Sequence, residues 1–183
     1  GTPEAQRPAR IATVVRPGVD LFLCETMSIA HEAHAATVAA VESGLPVWTA
    51  FTVDDTDGTK LRSGESLAEA ARAVVDAGAS AVLVNCAVPE ALTTAMDVLK
   101  ELGVPFGGYA NAFTSVAALE PGGTVDVLEA RRDLGPDAYA EQVMNWVEKG
   151  ATIVGGCCEV GPAHIKALAD HLTKAGYPLA SSQ

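Results

Sequence analysis

No stretch of this chain approaches the roughly 20 consecutive apolar residues that a membrane-crossing helix needs. Its first residues, Gly1 to Asp20, are too polar and too broken by proline to serve as an export leader. Basic side chains are scarce: 12 Lys and Arg stand against 23 Asp and Glu, a formal charge of -11. Such a surface repels nucleic acid phosphates and anionic membranes, so neither is an expected partner. Cysteine is also sparse, with four in 183 residues. Without a leader, that number points to free or metal-bound thiols in a reducing compartment rather than to a disulfide scaffold, and the expected location is the cytoplasm. The chain has no low-complexity tract, internal repeat or interdomain linker, and we read residues 1–183 as a single domain. Oligomeric state stays open, a homo-oligomer included.

What the chain does have is a regular beat of short apolar runs, each followed by a segment of helical periodicity. The apolar runs Val19 to Cys24, Val47 to Thr52, Ala81 to Asn85, Phe106 to Tyr109 and Thr152 to Gly155 read as strands. The helices that follow are expected over Ile29 to Glu42, Ser66 to Asp76, Pro89 to Leu102, Pro136 to Glu148 and Pro162 to Ala175. Ser66 and Glu69 form a capping-box pattern, and Gly44 followed by Pro46 closes the first helix. Strands apolar throughout are those buried on both faces, as in parallel α/β architectures. A closed (β/α)8 barrel needs eight such units, and the chain supplies about five. Glu4 to Val15 reads as the helical end of a preceding unit, so upstream units are expected to be missing. The segment Ala110 to Gly135, with Glu120-Pro121-Gly122-Gly123 inside it, interrupts the beat after the fourth strand, and loops of that length are usually functional or mobile.

The most informative residues are thiols. Gly155-Gly156-Cys157-Cys158 follows the last apolar run, and Asn85-Cys86 ends the third. Strand ends share one rim of a parallel barrel, so Cys86 can meet the adjacent pair despite the sequence separation. Neighbouring strand residues point to opposite faces, so Cys157 and Cys158 can share a metal only if the backbone turns just after Gly156, which two glycines would permit. Three thiolates leave a tetrahedral zinc one open position, the mark of a catalytic rather than a structural site. The competing readings are three buried apolar cysteines or a redox pair.

Gly155-Gly156-Cys157-Cys158 with Gly161-Pro162-Ala163-His164-Ile165 resembles the zinc signature of the homocysteine S-methyltransferase family, and Asn85-Cys86 resembles its upstream GxNC element. Asp20 to Thr26 resembles the family's strand ending in Glu-Thr, and Tyr109-Ala110-Asn111 its Tyr-Pro-Asn strand end. The resemblance covers the carboxyl-terminal part of a TIM-barrel domain, from about its fourth strand through its eighth. Leu83, Ala110 and the Glu159-Val160 pair depart from the family pattern, where Gly, Pro and Gly-Thr are usual.

The resemblance implies zinc held by Cys86, Cys157 and Cys158, with homocysteine and a small methyl donor as partners. The product would be methionine, and the expected donors are S-methylmethionine or another sulfonium, then betaine, then methyltetrahydrofolate. It also implies that Glu25 binds the substrate amino group, with Thr26 and Asn85 beside it. The alternative roles are a cap or core ion pair for Glu25 and a plain turn for Asn85. The rival function is a non-catalytic zinc-binding partial barrel that needs a partner or its missing part.

Strand alternation places Cys24 opposite Glu25, away from the site. His31 and His34 read as solvated helix residues. His164 reads as first-turn helix structure, and Glu159 as a helix cap or a carboxylate that raises thiolate basicity. Asp54 to Gly58 lacks an acid at Val53 and a Glu at Gly64, so it reads as a solvated turn rather than a calcium loop.

Overall fold

The computed structural model describes residues 18–115 and 128–180. Five strands, β1 (Phe22–Met27), β2 (Val47–Phe51), β3 (Ala81–Asn85), β4 (Phe106–Tyr109) and β5 (Ile153–Val154), alternate with five helices, α1 (Ala30–Val41), α2 (Leu67–Asp76), α3 (Pro89–Leu99), α4 (Pro136–Glu148) and α5 (Pro162–Lys174). All four strand pairings are parallel, and the order in the sheet is the order in the chain. A doubly wound sheet reverses direction at a switch point, whereas a barrel adds each new strand on the same side. This sheet does the latter, as the sequence pattern predicts. The expected segment Glu4 to Val15 and the Glu120-Pro121-Gly122-Gly123 turn lie outside the described residues.

Four of the five helices begin at a start signal in the sequence, whereas α1 has none of its own and its Ala30 N–H is met by Glu65 Oε2. Ser66 Oγ accepts the Glu69 N–H at 3.4 Å, and α2 then buries Leu67, Ala70, Ala71 and Val74, the spacing of one helical face. Proline opens α3, α4 and α5, where its missing N–H costs nothing. The third helix is shorter than expected: it ends at Leu99, and Lys100–Leu102 tightens into a 3-10 turn closed by Gly103.

The strand register sorts side chains into two faces. Phe51, Val82, Val84 and Phe106 face the helices and join the main core with Leu92, Met96, Tyr139 and Trp146. Ala50, Leu83 and Gly107 lie on the opposite, inner face. Gly107 is required there, because a Cβ would sit 1.8 Å from the Ile153 carbonyl oxygen across the β4–β5 pairing. The central strand β3 is buried at every position, while β1 and β5 are only partly covered. Among the described residues, each of those two outer strands pairs on one side only.

Two strand boundaries differ from the sequence reading. The first strand starts at Phe22 rather than Val19 and runs to Met27, with a break in register between Cys24 and Met27 where Thr26 takes a positive φ of 61°. The fifth keeps only Ile153 and Val154 as strand, although the Gly155 N–H still donates to the Gly108 carbonyl at 3.2 Å.

Candidate metal centre

The carboxyl ends of β1, β3, β4 and β5 converge on one rim, and the predicted thiols meet there. The Cys158 sulfur lies 4.0 Å from that of Cys86 and 3.8 Å from that of Cys157, and all three sulfurs fall within 4.8 Å of one another. Among the described residues no other trio of Cys, His, Asp or Glu converges in this way. A zinc–sulfur bond of about 2.3 Å in a tetrahedron sets sulfurs roughly 3.8 Å apart. The donor set and its spacing therefore fit a thiolate-bound metal with one position left over.

Each thiol reaches this point by a local device. The Cys86 N–H donates to the Tyr109 carbonyl at 3.2 Å, extending the β3–β4 ladder by one residue, and the chain then turns with φ 54° at Cys86. On the opposite side, Cys157 N–H donates to the Ala110 carbonyl at 2.9 Å, and the Cys158 carbonyl accepts from Ala112 N–H at 3.0 Å. The backbone turns directly after Gly156. The turn spans Cys157 to Val160, closed by a 3.1 Å bond from Val160 N–H to the Cys157 carbonyl, and its positive φ falls on Glu159 at 64°. Neither Gly155 nor Gly156 has positive φ, so backbone freedom is not what the pair contributes. Gly156 instead makes room: a Cβ there would lie 2.1 Å from Val160 Cγ1.

Electrostatics among the sulfurs is shared. The neighbouring Cys157 thiol holds the Cys86 pKa down against burial, while Cys157 is pushed up by the same neighbour and by burial. Burial raises Cys158 as well. The Asn111 side chain is fully buried behind them. Among the described residues its Nδ2 meets no acceptor at hydrogen-bond geometry, yet it lies near enough to Cys86 to favour the thiolate. A buried amide N–H turned toward sulfur suits an anionic ligand cluster.

The predicted substrate residues lie on the same rim. Asn85 is buried, accepting from Thr26 N–H at 3.1 Å and donating to Thr26 Oγ1 at 2.8 Å, so it ties β3 to the distorted end of β1. Glu25 is exposed on the inner-face side of β1, and Tyr109 donates to its Oε2 at 3.0 Å. Burial and the Glu25 carboxylate both push the Tyr109 hydroxyl pKa up, so it stays protonated as a donor. Cys24 is outside the sulfur cluster, and burial raises its pKa.

His31 and His34 are exposed on α1. His164 Nδ1 accepts the Gly161 N–H at 3.2 Å and Nε2 lies 3.2 Å from the Leu134 carbonyl, so both ring nitrogens are engaged away from the metal position. Of the two readings of Glu159, the cap is corrected: the α5 N-cap is Gly161, and His164 supplies the reciprocal bond. Asp54 Oδ1 accepts from the Thr56 and Asp57 N–H groups at 2.8 and 3.0 Å, the solvated turn that was expected. Its neighbour Asp55, read as part of that turn, is instead paired with Arg62 at 3.2 Å beneath Cys86. No local pattern signals a contact made through the fold, so the Tyr109–Glu25 bond and the Asp55–Arg62 pair are visible only in the structure.

Fold and site together define a β/α-barrel segment bearing a three-thiol cluster at the carboxyl ends of its strands. The family model for homocysteine S-methyltransferase matches residues 6–172, and the chain belongs to that family. It is 30% identical to homocysteine S-methyltransferase 4 of Zea mays over 92% of its own length and 48% of the relative's. It is also 30% identical to the homocysteine S-methyltransferase of Escherichia coli, over 87% and 50%. The chain thus spans about half the length of the curated relatives it matches. The apo form of the homocysteine methyltransferase MmuM from Escherichia coli superposes with a TM-score of 0.67 at 24% identity, covering 91% of this chain and 55% of that one. A metallated form of the same protein gives 0.67 at 22% identity, over 91% and 52%. Those two likenesses establish the barrel fold. No helix among the described residues is long and apolar enough to cross a membrane.

Proposed function

We propose that this chain carries the metal-binding half of a zinc-dependent homocysteine S-methyltransferase, which moves a methyl group from a small donor to homocysteine and yields methionine. The observation that carries the reading is the convergence of the Cys86, Cys157 and Cys158 sulfurs at spacings suited to one tetrahedral ion. Bound there, zinc would keep an incoming thiol deprotonated, where a free thiol of pKa near 8.5 is mostly protonated at neutral pH. The chain's own groups would orient the amino acid. Glu25 offers a carboxylate to the substrate ammonium, and Tyr109 fixes the direction of that carboxylate. Asn85 holds Thr26 and with it the end of β1 that presents Glu25.

A sulfonium such as S-methylmethionine is the first donor to test, followed by betaine and methyltetrahydrofolate. The test is zinc content by metal analysis on the chain and on Cys86→Ser, together with methyl transfer from each donor to homocysteine. Zinc at one per chain, lost in the variant, with turnover from one donor supports the proposal. A chain without zinc would end it.

A second reading is favoured by the half-length match and by the one-sided pairing of β1 and β5. In it the chain binds zinc but turns over only when further strands complete the sheet. Activity that appears only with a longer polypeptide of the same sequence would select it.

A further inference from the structure

Cys86 sits in a backbone conformation that L residues rarely adopt, with φ 54°. By alternation, a residue following Asn85 in a regular strand would turn its side chain toward the helices. The left-handed turn instead delivers its sulfur to the Cys157–Cys158 pair. Such a conformation persists only where the surroundings fix it, and an ion pair lies against this one.

Arg62 Nη2 donates to the Cys86 carbonyl at 3.1 Å and to Asp55 Oδ1 at 3.2 Å. Arg62 Nε donates to Thr52 Oγ1 at 3.0 Å, and that hydroxyl donates in turn to the Cys86 carbonyl at 3.4 Å. Asp55 Oδ1 also accepts the Val88 N–H at 3.1 Å, and Asp55 Oδ2 accepts from Ser115 Oγ at 3.2 Å. The pair is mostly buried, with side-chain exposures of 26% for Arg62 and 12% for Asp55. It therefore fastens the 86–88 segment at both ends, by the carbonyl of 86 and the amide of 88.

We propose that Arg62 and Asp55 are positioning residues for the metal centre, their ion pair holding Cys86 in the left-handed turn that makes it the third sulfur ligand. The proposal rests on the thiolate-metal reading above and names the residues that build it. A guanidinium fork suits this task, since it can bind a carbonyl, a hydroxyl and a carboxylate at once.

The test uses Co2+ as the probe, because thiolate-to-cobalt charge-transfer absorption scales with the number of sulfurs bound. The chain, Arg62→Met, Arg62→Lys and Asp55→Asn are compared by chelator competition, by the intensity of that band and by far-UV circular dichroism. Arg62→Met is expected to weaken Co2+ binding by about 10- to 100-fold, the range for residues that orient a ligand, and to lose about a third of the band. Arg62→Lys should recover part of both, and Asp55→Asn, which keeps an acceptor for Val88, should fall between. Folded variants with the parent's affinity and band would overturn the proposal while leaving the metal reading intact. A parent chain that shows no thiolate band would overturn the metal reading itself. Loss of helical signal in Arg62→Met leaves Asp55→Asn to decide, and loss in both would assign the pair to folding and overturn the proposal.

Discussion

The Tyr109 hydroxyl donates to Glu25 Oε2 at 3.0 Å, joining β4 to β1 across two intervening strands on the rim that holds the sulfurs. A tyrosine held protonated by burial and by that carboxylate is a fixed donor. Among the described residues its partner thereby keeps one oxygen occupied and no bond is made to the other. Tyr109→Phe removes the donor while leaving the ring in place, and Glu25→Gln removes the charge while leaving the shape. Both are expected to weaken homocysteine binding by calorimetry. Tyr109→Phe should cost about fivefold, equivalent to about 1 kcal/mol for one hydrogen bond, and Glu25→Gln should cost more. Zinc content should be unchanged in both, and a loss of zinc in either would place Glu25 or Tyr109 in the metal centre instead.

Gly156 tests whether the thiol pair depends on a close approach. A methyl group at 156 would lie 2.1 Å from Val160 Cγ1 and 2.6 Å from Val160 Cβ, so the Cys157–Val160 turn must shift to admit it. Gly156→Ala is expected to weaken metal binding at least tenfold, as a displaced ligand does. Adding Val160→Gly removes both clashing atoms and should restore most of the affinity. Failure of the double variant to recover would show that Gly156 acts through its backbone.

Much of this arrangement is legible in the sequence, and the reasons are local. Ala81–Asn85 and Phe106–Tyr109 end where expected because each apolar run stops against a turn, and Pro136 and Pro162 mark helix starts that the structure keeps. The three thiols were identifiable from their neighbours and from the order of the strands. What escaped depends on contacts remote in sequence. The end of β1 is displaced because Asn85, 59 residues away, captures Thr26. Asp55 sits among three aspartates, and contacts remote in sequence, Arg62 and Val88 among them, separate it from the two that close solvated turns. The turn after Gly156 begins where expected, but its positive φ falls on Glu159 rather than on a glycine, and what Gly156 clears is the Val160 side chain.

Tyr139 is a buried pin beneath the site. Its hydroxyl donates to the Gly155 carbonyl at 2.7 Å and accepts the Ala110 N–H at 3.2 Å, so one side chain of α4 holds the ends of β4 and β5 together. Tyr139→Phe leaves both backbone groups without that partner in a buried setting, at a cost of about 1–3 kcal/mol. For a chain of this size the melting temperature should fall by about 2–10 °C. Thermal unfolding followed by circular dichroism gives the number, and an unchanged midpoint would mean that the two strand ends hold without the hydroxyl.

Glu159 occupies the left-handed position of the cysteine turn with φ 64° and an exposed side chain. A non-glycine residue there carries about 1–2 kcal/mol of steric cost. Glycine would relieve it but would give the unfolded chain more freedom, which offsets roughly 0.5–1 kcal/mol. The two terms leave a net gain, so Glu159→Gly is expected to raise the melting temperature by about 1–4 °C. The same change removes a carboxylate next to the sulfurs. Metal affinity that stays level would leave Glu159 as a strained turn residue. A drop in affinity alongside the higher midpoint would instead mean that its charge, and not its backbone, is what the site uses.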